Sequence, residues 1–209
     1  MPFAHLHVRS WFSLLRGGSS PEALAGSAAA LGMEALAITD RHGLYGAVRF
    51  ARACRTQGLR PILGAEVRVE GGFLVLLAAD AGGYAGLCRL ITAAHARSRP
   101  KPEATLAELE AHAAGLFCLT GTRGSRLWRH ADAGRADEAL AWVRTLQAIF
   151  GERLSIEVSH HRRPGDTRRV GRLARLARAS DVPLLATGDV CYAMPDDYRR
   201  YDLLTCVRH

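Results

Sequence analysis

Short apolar runs alternate along the chain with longer stretches in which apolar residues recur every three to four positions. The short runs are typical of strands and the longer stretches of helices. Seven strands are predicted, at Phe3–Val8, Ala35–Thr39, Pro61–Gly64 with Glu66–Val69, Phe73–Ala78, Leu116–Thr120, Leu154–Val158 and Pro183–Thr187.

The first predicted helix has clear boundary signals. Ser20 can cap it, Pro21 suits its first turn, Glu22 complements the helix dipole and Gly32 can close its end. Further helices are predicted at Leu44–Gln57, Gly83–His95, Leu106–Ala113, Arg135–Phe150, Asp166–Ser180 and Pro195–Val207, with a loop at Ala96–Pro102.

Apolar strands separated by helices are typical of a parallel sheet that is covered on both faces, either a barrel or a doubly wound sheet. About seven strand-helix units favour the barrel. No break in composition marks a second domain, so the sequence predicts one α/β domain over residues 1–209. In such folds the chemistry lies at the carboxyl ends of the strands.

The predicted strand ends carry imidazole, carboxylate and thiol groups. They hold His5 and His7, Asp40 with Arg41 and His42, Glu66, Glu157 with His160 and His161, and Asp189 with Cys191. Two histidines in a His-x-His pair lie on one face of a strand, although such a pair alone decides nothing. Together, these groups resemble a multi-metal centre that activates water against a phosphoester.

Composition narrows both the cellular location and the kinds of cysteine site that the sequence allows. No apolar stretch is long enough to span a membrane, and no signal peptide precedes the first strand, so we expect a cytoplasmic protein. The five cysteines are an odd number without a C-x-x-C pair, which argues against a disulfide framework and a zinc ribbon.

The net charge of +8 comes from arginine, because Lys101 is the single lysine. A basic surface favours polyanions such as nucleic acid, although an arginine excess also follows from a GC-rich coding sequence. Arg168, Arg172 and Arg175 would share one helix face and are the candidate nucleic-acid contacts.

Four segments resemble the PHP (polymerase and histidinol phosphatase) domain of bacterial DNA polymerase III alpha subunits, most closely the error-prone branch. They are HLHVRSWFSLLRGGSSPEALAGSAAALGMEALAITDRHGLYGAVRFARACRTQGLRPILGAEVRV, LEAHAAGLFCLTG, IEVSHHRRPGD and PLLATGDVCYAMPDDYRRYDLLTCVR. The resemblance implies a distorted seven-stranded (β/α) barrel with up to three metal ions at the strand ends in active members.

The register of this resemblance changes the candidate ligands. The family's first motif is approximately [D/H]-L-H-x-H-[S/T]-x-x-S-x-x-D-G, and Ser10, Ser13 and Gly17 fix its alignment here. The two metal-binding histidines then correspond to His7 and Arg9 rather than to His5 and His7. The resemblance implies that Arg9, Arg16, Arg41 and Phe73 stand at substituted ligand positions, whereas His7, Glu66, His161, Asp189 and Cys191 stand at the residual ones.

A guanidinium is always protonated and cannot coordinate a metal. Arg9, Arg16 and Arg41 could instead neutralise carboxylates among Asp40, Glu66 and Asp189. We therefore expect no multi-metal cofactor and at most one divalent ion, zinc or manganese.

The leading hypothesis is a catalytically inactive PHP domain with a structural role in an error-prone DNA polymerase, where replication or repair synthesis is carried out. It would be the N-terminal domain or a truncated piece of the polymerase, whose remainder, DNA and accessory proteins would be its partners. One alternative is a metal-dependent phosphoesterase or 3′–5′ exonuclease that uses the residual ligands. The other is a polyanion-binding module in which the arginines bind a phosphate or a nucleic-acid end without cleaving it.

Overall fold

The structure is a computed structural model, and it describes residues 3–208. The strands are β1 (Ala35–Arg41), β2 (Arg60–Val69), β3 (Gly72–Ala78), β4 (Leu116–Leu119), β5 (Leu154–Val158) and β6 (Leu184–Ala186). The α-helices are α1 (Pro21–Ala30), α2 (Ala47–Thr56), α3 (Ala81–Arg97), α4 (Leu106–His112), α5 (Arg126–Ala133), α6 (Ala136–Phe150), α7 (Asp166–Ser180) and α8 (Tyr198–Arg208). The strand order in the sheet is β1-β2-β3-β4-β5-β6.

The chain divides into two compact units, and the first comprises Met1–Ala65 with Gly188–His209. Its core is built from α1, α2, β1 and the segment around Val8, with Leu24, Ile38 and Phe50 buried at its centre. The Ser20 hydroxyl accepts a hydrogen bond from the Ala23 N–H at 3.1 Å, as its predicted capping role requires.

The second unit comprises Glu66–Thr187. Strand β3 runs antiparallel to β4, whereas β4 with β5 and β5 with β6 are parallel. Thr105 and Glu108 form a reciprocal capping box at the start of α4. Buried leucines of α3 and β3, among them Leu76, Leu87 and Leu90, form part of its core.

Two predictions about strands are wrong. Phe3–Val8 is not a regular strand, because its only strand-type pairing within the described residues is an isolated parallel bridge from Val8 to Val190. His5 O accepts a hydrogen bond from Ala37 N, and Val8 O accepts one from Thr39 N. The two acceptors are three residues apart whereas the two donors are two residues apart, so the first segment carries one extra residue, as in a β-bulge. Val8 N donates a hydrogen bond to the side-chain oxygen Thr39 Oγ1 at 2.9 Å instead of to a backbone carbonyl. The wholly parallel sheet is also wrong, since β3 is antiparallel to β4.

The described residues therefore contain six strands, and the predicted seven-stranded barrel is not confirmed. The reversal at β3 follows from a two-residue turn after β2, in which Glu70 and Gly71 have φ values of 47° and 76°. Such left-handed residues are typical of tight hairpins, whereas a parallel connection needs a long crossover. The sequence places Trp128 in a helical stretch but predicts no bounds for helix α5, although Ser125 caps it and Gly134 ends it in a left-handed conformation.

No helix among residues 3–208 combines the length and apolarity needed to cross a membrane.

Candidate functional site

His7, Val8 and Arg9 lie in the first unit between β1 and the segment that begins at Gly188. Val8 bonds to Thr39, while Val190 N donates to His7 O at 3.0 Å and Arg9 N donates to Val190 O at 2.9 Å. These backbone bonds bring the side chains of His7 and Arg9 to Asp189, which is adjacent to Val190. His7 is fully buried and Arg9 is 7% exposed.

The Arg9 guanidinium has two partners on that segment. Its Nη2 donates a short hydrogen bond to Asp189 Oδ1, and the same nitrogen contacts Cys191 Sγ at 3.3 Å. His7 Nε2 lies 3.6 Å from the same Asp189 oxygen. A cation that cannot be a metal ligand thus binds directly to two potential ligands.

Asp189 is held in an unusual backbone conformation, with a φ of 46°. Aspartate tolerates this left-handed region better than most residues, but it is still uncommon. The Cys191 thiol lies 3.4 Å from Asp189 O. Burial and then the neighbouring Cys191 raise the pKa of Tyr201, while Arg9 and Arg208 oppose this shift. The cluster is therefore a network of titratable groups gathered around one guanidinium.

Asp40 has a different set of partners. Its carboxylate accepts from Ser10 N at 2.8 Å, Ser10 Oγ at 2.7 Å and Ser13 Oγ at 2.6 Å. Burial raises the pKa of Asp40, although the Ser13 and Ser10 hydrogen bonds and the charge of Arg9 oppose this. The two serines thus fasten the loop after Arg9 to the end of β1.

Gly17 closes this loop. A Cβ atom at Gly17 would overlap the carbonyl oxygen of Ser10, so the loop packs its own backbone at a distance that only glycine allows. Arg16 and Arg41 are both half-buried; Arg16 N donates to Ser13 O and Arg41 N donates to Ser13 Oγ.

Three predicted positions lie in the second unit. Glu66 is 1% exposed on β2. Phe73 lies on β3 with the Arg68 guanidinium 5.9 Å from its ring centroid. His161 is exposed, and its backbone N–H donates to Asp166 Oδ2 at 2.9 Å.

Glu157 on β5 is a fully buried carboxylate of the second unit. Thr187 Oγ1 donates to Glu157 Oε1, and Glu157 N donates to Thr120 Oγ1 at 3.0 Å. The Thr187 hydroxyl thus holds the Glu157 carboxylate, while the Thr120 hydroxyl holds its backbone.

Asp166 and Arg169 form a buried pair at the start of α7. Arg169 Nη1 donates to Asp166 Oδ1 at 2.8 Å, and its Nη2 donates to Asp132 Oδ1 at 2.7 Å. The guanidinium also lies 4.3 Å from the Trp128 ring centroid. Burial would raise the pKa of Asp166, but the N–H groups of Arg163 and His161 and the Arg169 guanidinium together lower it.

The three candidate nucleic-acid contacts on α7 differ in exposure. Arg168 and Arg175 are exposed, and Arg175 Nε contacts Gly171 O at 3.4 Å. Arg172 is half-buried, with Nη1 donating to Ala131 O at 2.6 Å and to Asp132 O at 2.8 Å. Arg172 is therefore engaged at the carboxyl end of α5, where a cation complements the helix dipole.

Among residues 3–208, no three or more His, Cys, Asp or Glu side chains are grouped so that they could hold a metal ion.

The family model of the PHP domain matches residues 5–161 of this sequence. The chain belongs to the PHP domain family. It is 39% identical to an error-prone DNA polymerase of Symbiobacterium thermophilum over 100% of this chain and 21% of that protein. It is 35% identical to a DNA polymerase III subunit alpha of Treponema pallidum over 99% of this chain and 19% of that protein.

A solved structure of a candidate metal-dependent phosphoesterase from Bifidobacterium adolescentis matches 96% of this PHP chain and 96% of its own length. The TM-score is 0.65 at 16% identity, so the likeness concerns the fold. The PHP chain spans about a fifth of the length of the curated relatives that it matches.

Sequence reasoning missed several contacts of this PHP chain. In the sequence, Ser10 and Ser13 only fix the alignment with the family's first motif. In the structure, both hydroxyls donate hydrogen bonds to the Asp40 carboxylate. Tyr201 and Arg169 lack any motif of their own. The signal that could have found Arg169 is the D-x-x-R spacing from Asp166, which puts the two side chains on one helix face.

Proposed function

We propose that this chain is the PHP domain of an error-prone-type DNA polymerase, in which it supports the rest of the polymerase structurally and does not catalyse metal-dependent hydrolysis. The relatives that match this chain over 99–100% of its length are named as DNA polymerases, and this supports the assignment to a polymerase. The proposal implies a cytoplasmic location, with the remainder of the polymerase, DNA and accessory proteins as partners.

The contact between Arg9 and Asp189 is the observation that carries the non-catalytic part of the proposal. Metal-dependent hydrolysis needs carboxylate and imidazole ligands that are free to bind a cation. Here a fixed positive charge already binds Asp189 and contacts Cys191, so an incoming metal ion would meet electrostatic repulsion. We infer no metal cluster, and at most one zinc or manganese ion.

Metal analysis combined with a phosphodiester assay tests this proposal. The purified protein is titrated with Mn²⁺ and Zn²⁺ and is assayed on a chromogenic phosphodiester and on a 3′-labelled oligonucleotide. We expect at most one bound ion and no turnover. Stoichiometric binding of several ions, together with turnover that a chelator abolishes, would overturn it.

A second candidate function is a phosphoesterase or 3′–5′ exonuclease. The buried carboxylates of Glu66 on β2 and Glu157 on β5 favour it, since buried acids can serve metal-dependent chemistry. Glu66→Ala and Asp189→Ala variants should then lose phosphodiester hydrolysis. Unchanged hydrolysis in both variants would exclude these residues from the chemistry.

A further inference from the structure

An exposed tryptophan lies beside arginines on the outer surface of the first unit. Trp11 is 46% exposed, whereas Trp128 and Trp142 are 7% and 4% exposed. The Arg49 guanidinium lies 5.5 Å from the Trp11 ring centroid and 5.7 Å from that of Phe12. Trp11 therefore offers an aromatic surface next to a cation.

Arg49 is held in place by a bidentate ion pair. Its Nε donates to Glu22 Oε1 at 2.8 Å and its Nη2 donates to Glu22 Oε2 at 2.9 Å. This pair links α2 to α1 and fixes the guanidinium against the two rings. The guanidinium is thus oriented at a low entropic cost, because a planar fork loses little freedom per hydrogen bond.

The outer face of α2 adds further positive charge. Val48, Arg49, Arg52 and Arg55 are all exposed and follow helical spacing on this face. Within residues 3–208, the guanidinium groups of Arg52 and Arg55 have no hydrogen bond or ion pair. Arg49 and Arg52 also line a groove of about 390 Å³ between α1 and α2, together with Glu22, Ala53, Thr56 and Gln57.

We propose that this surface, formed by Trp11, Arg49, Arg52 and Arg55, binds single-stranded nucleic acid. The exposed Trp11 ring stacks on unpaired bases, and the guanidinium groups of Arg52 and Arg55 neutralise phosphates, which is the combination that non-specific single-strand binding uses. The net charge of +8 complements such a polyanion. A duplex fits less well, because its bases are already stacked and cannot reach the ring.

The surface shares no hydrogen bond or ion pair of residues 3–208 with Asp189 and Cys191, on which the proposed non-catalytic function depends. Neither Trp11 nor Arg52 contacts Asp189 or Cys191 in any hydrogen bond or ion pair of residues 3–208. A test of single-strand binding can therefore fail or succeed whatever the results for metal binding and hydrolysis are.

Tryptophan fluorescence gives a direct test, because Trp11 is the exposed tryptophan. A dT oligonucleotide of about 12 nucleotides is titrated into the protein at several salt concentrations. We expect quenching that saturates. Trp11→Ala should weaken binding about tenfold or more, measured by anisotropy of a labelled oligonucleotide, and Arg52→Ala should reduce the slope of log K against log salt by about 0.7.

Arg144→Ala is the matched control, because it removes the same charge from an exposed position on α6 in the other unit. We expect it to leave affinity and salt slope unchanged. Equal losses in Arg52→Ala and Arg144→Ala, binding without Trp11 quenching, tighter binding of a duplex, or no binding would each overturn the proposal. A matched rU oligonucleotide distinguishes DNA from RNA as the strand bound at this surface.

Discussion

Arg9 donates a hydrogen bond to Asp189, 180 residues further along the chain. The contact closes the first unit by joining its amino-terminal segment to its carboxyl-terminal one. Both side chains are largely buried, with exposed fractions of 9% and 13%. A partly desolvated pair of this kind makes each partner costly to remove alone.

Arg9→Ala should lower the free energy of unfolding by about 3 kcal/mol, because it leaves Asp189 without its guanidinium partner. Urea unfolding measures this change. The double variant Arg9→Ala/Asp189→Ala is the control, and it should be more stable than Arg9→Ala because no charge is stranded. A double variant that is less stable than both single variants would contradict this explanation.

Arg9→His should create a zinc site. It removes the repelling cation and adds an imidazole beside His7, Asp189 and Cys191, which are all ligand types that zinc accepts. We expect one zinc ion per chain by metal analysis and a binding isotherm by calorimetry. Arg49→His, elsewhere in the same unit, should gain no zinc; an equal gain in both variants would point to adventitious imidazole binding.

Asp40→Asn should change how stability depends on pH. Because the folded-state pKa of Asp40 is raised above its unfolded value of about 3.9, the folded state binds the proton more tightly than the unfolded chain does. This contribution is fully present below the unfolded pKa and is lost as the pH rises through the folded pKa. The free energy of unfolding of the wild type, relative to that of Asp40→Asn, should therefore fall as the pH rises above about 4.

Denaturant unfolding of both proteins from pH 3.5 to pH 7 measures this difference, since the other carboxyls are common to the two proteins. A difference that increases with pH would mean that the serine hydrogen bonds outweigh burial at Asp40.

Arg168 and Arg169 are neighbours with opposite roles. Arg169→Ala should lower the free energy of unfolding by about 3 kcal/mol, because it leaves buried Asp166 unpaired and removes the guanidinium from the Trp128 ring. Arg168→Ala should change it by less than about 0.5 kcal/mol, because Arg168 is exposed. Thermal and urea unfolding compare the two variants, and equal losses would contradict the structural role of Arg169.

Local signals in the sequence account for most of the elements. Ser20 with Pro21 predicts the start of α1, and the Ser20 hydroxyl caps the helix as expected. The prediction that an arginine would pair with a strand-end carboxylate is confirmed for Arg9 and Asp189. Asp40, in contrast, is bound by Ser10 and Ser13 and not by an arginine. These partners depend on how the loop after Arg9 folds back, which no residue pattern in the sequence shows.

The wrong predictions have long-range or turn-dependent causes. Phe3–Val8 has strand-like residues, but the hydroxyl of Thr39 interrupts its ladder, and this contact spans 31 positions. The direction of β3 depends on the left-handed conformation of Glu70, which its residue type does not favour. The seven-stranded barrel, the ligand set and the α7 nucleic-acid contacts remain predictions.

Gly17 places a limit on how this loop can diverge. The carbonyl oxygen of Ser10 lies where the Cβ atom of any other residue at this position would be. At position 17 itself, every other residue would collide with Ser10 O and force the loop open. A side chain at position 17 would therefore change the path of the loop that places Ser10 and Ser13 against Asp40.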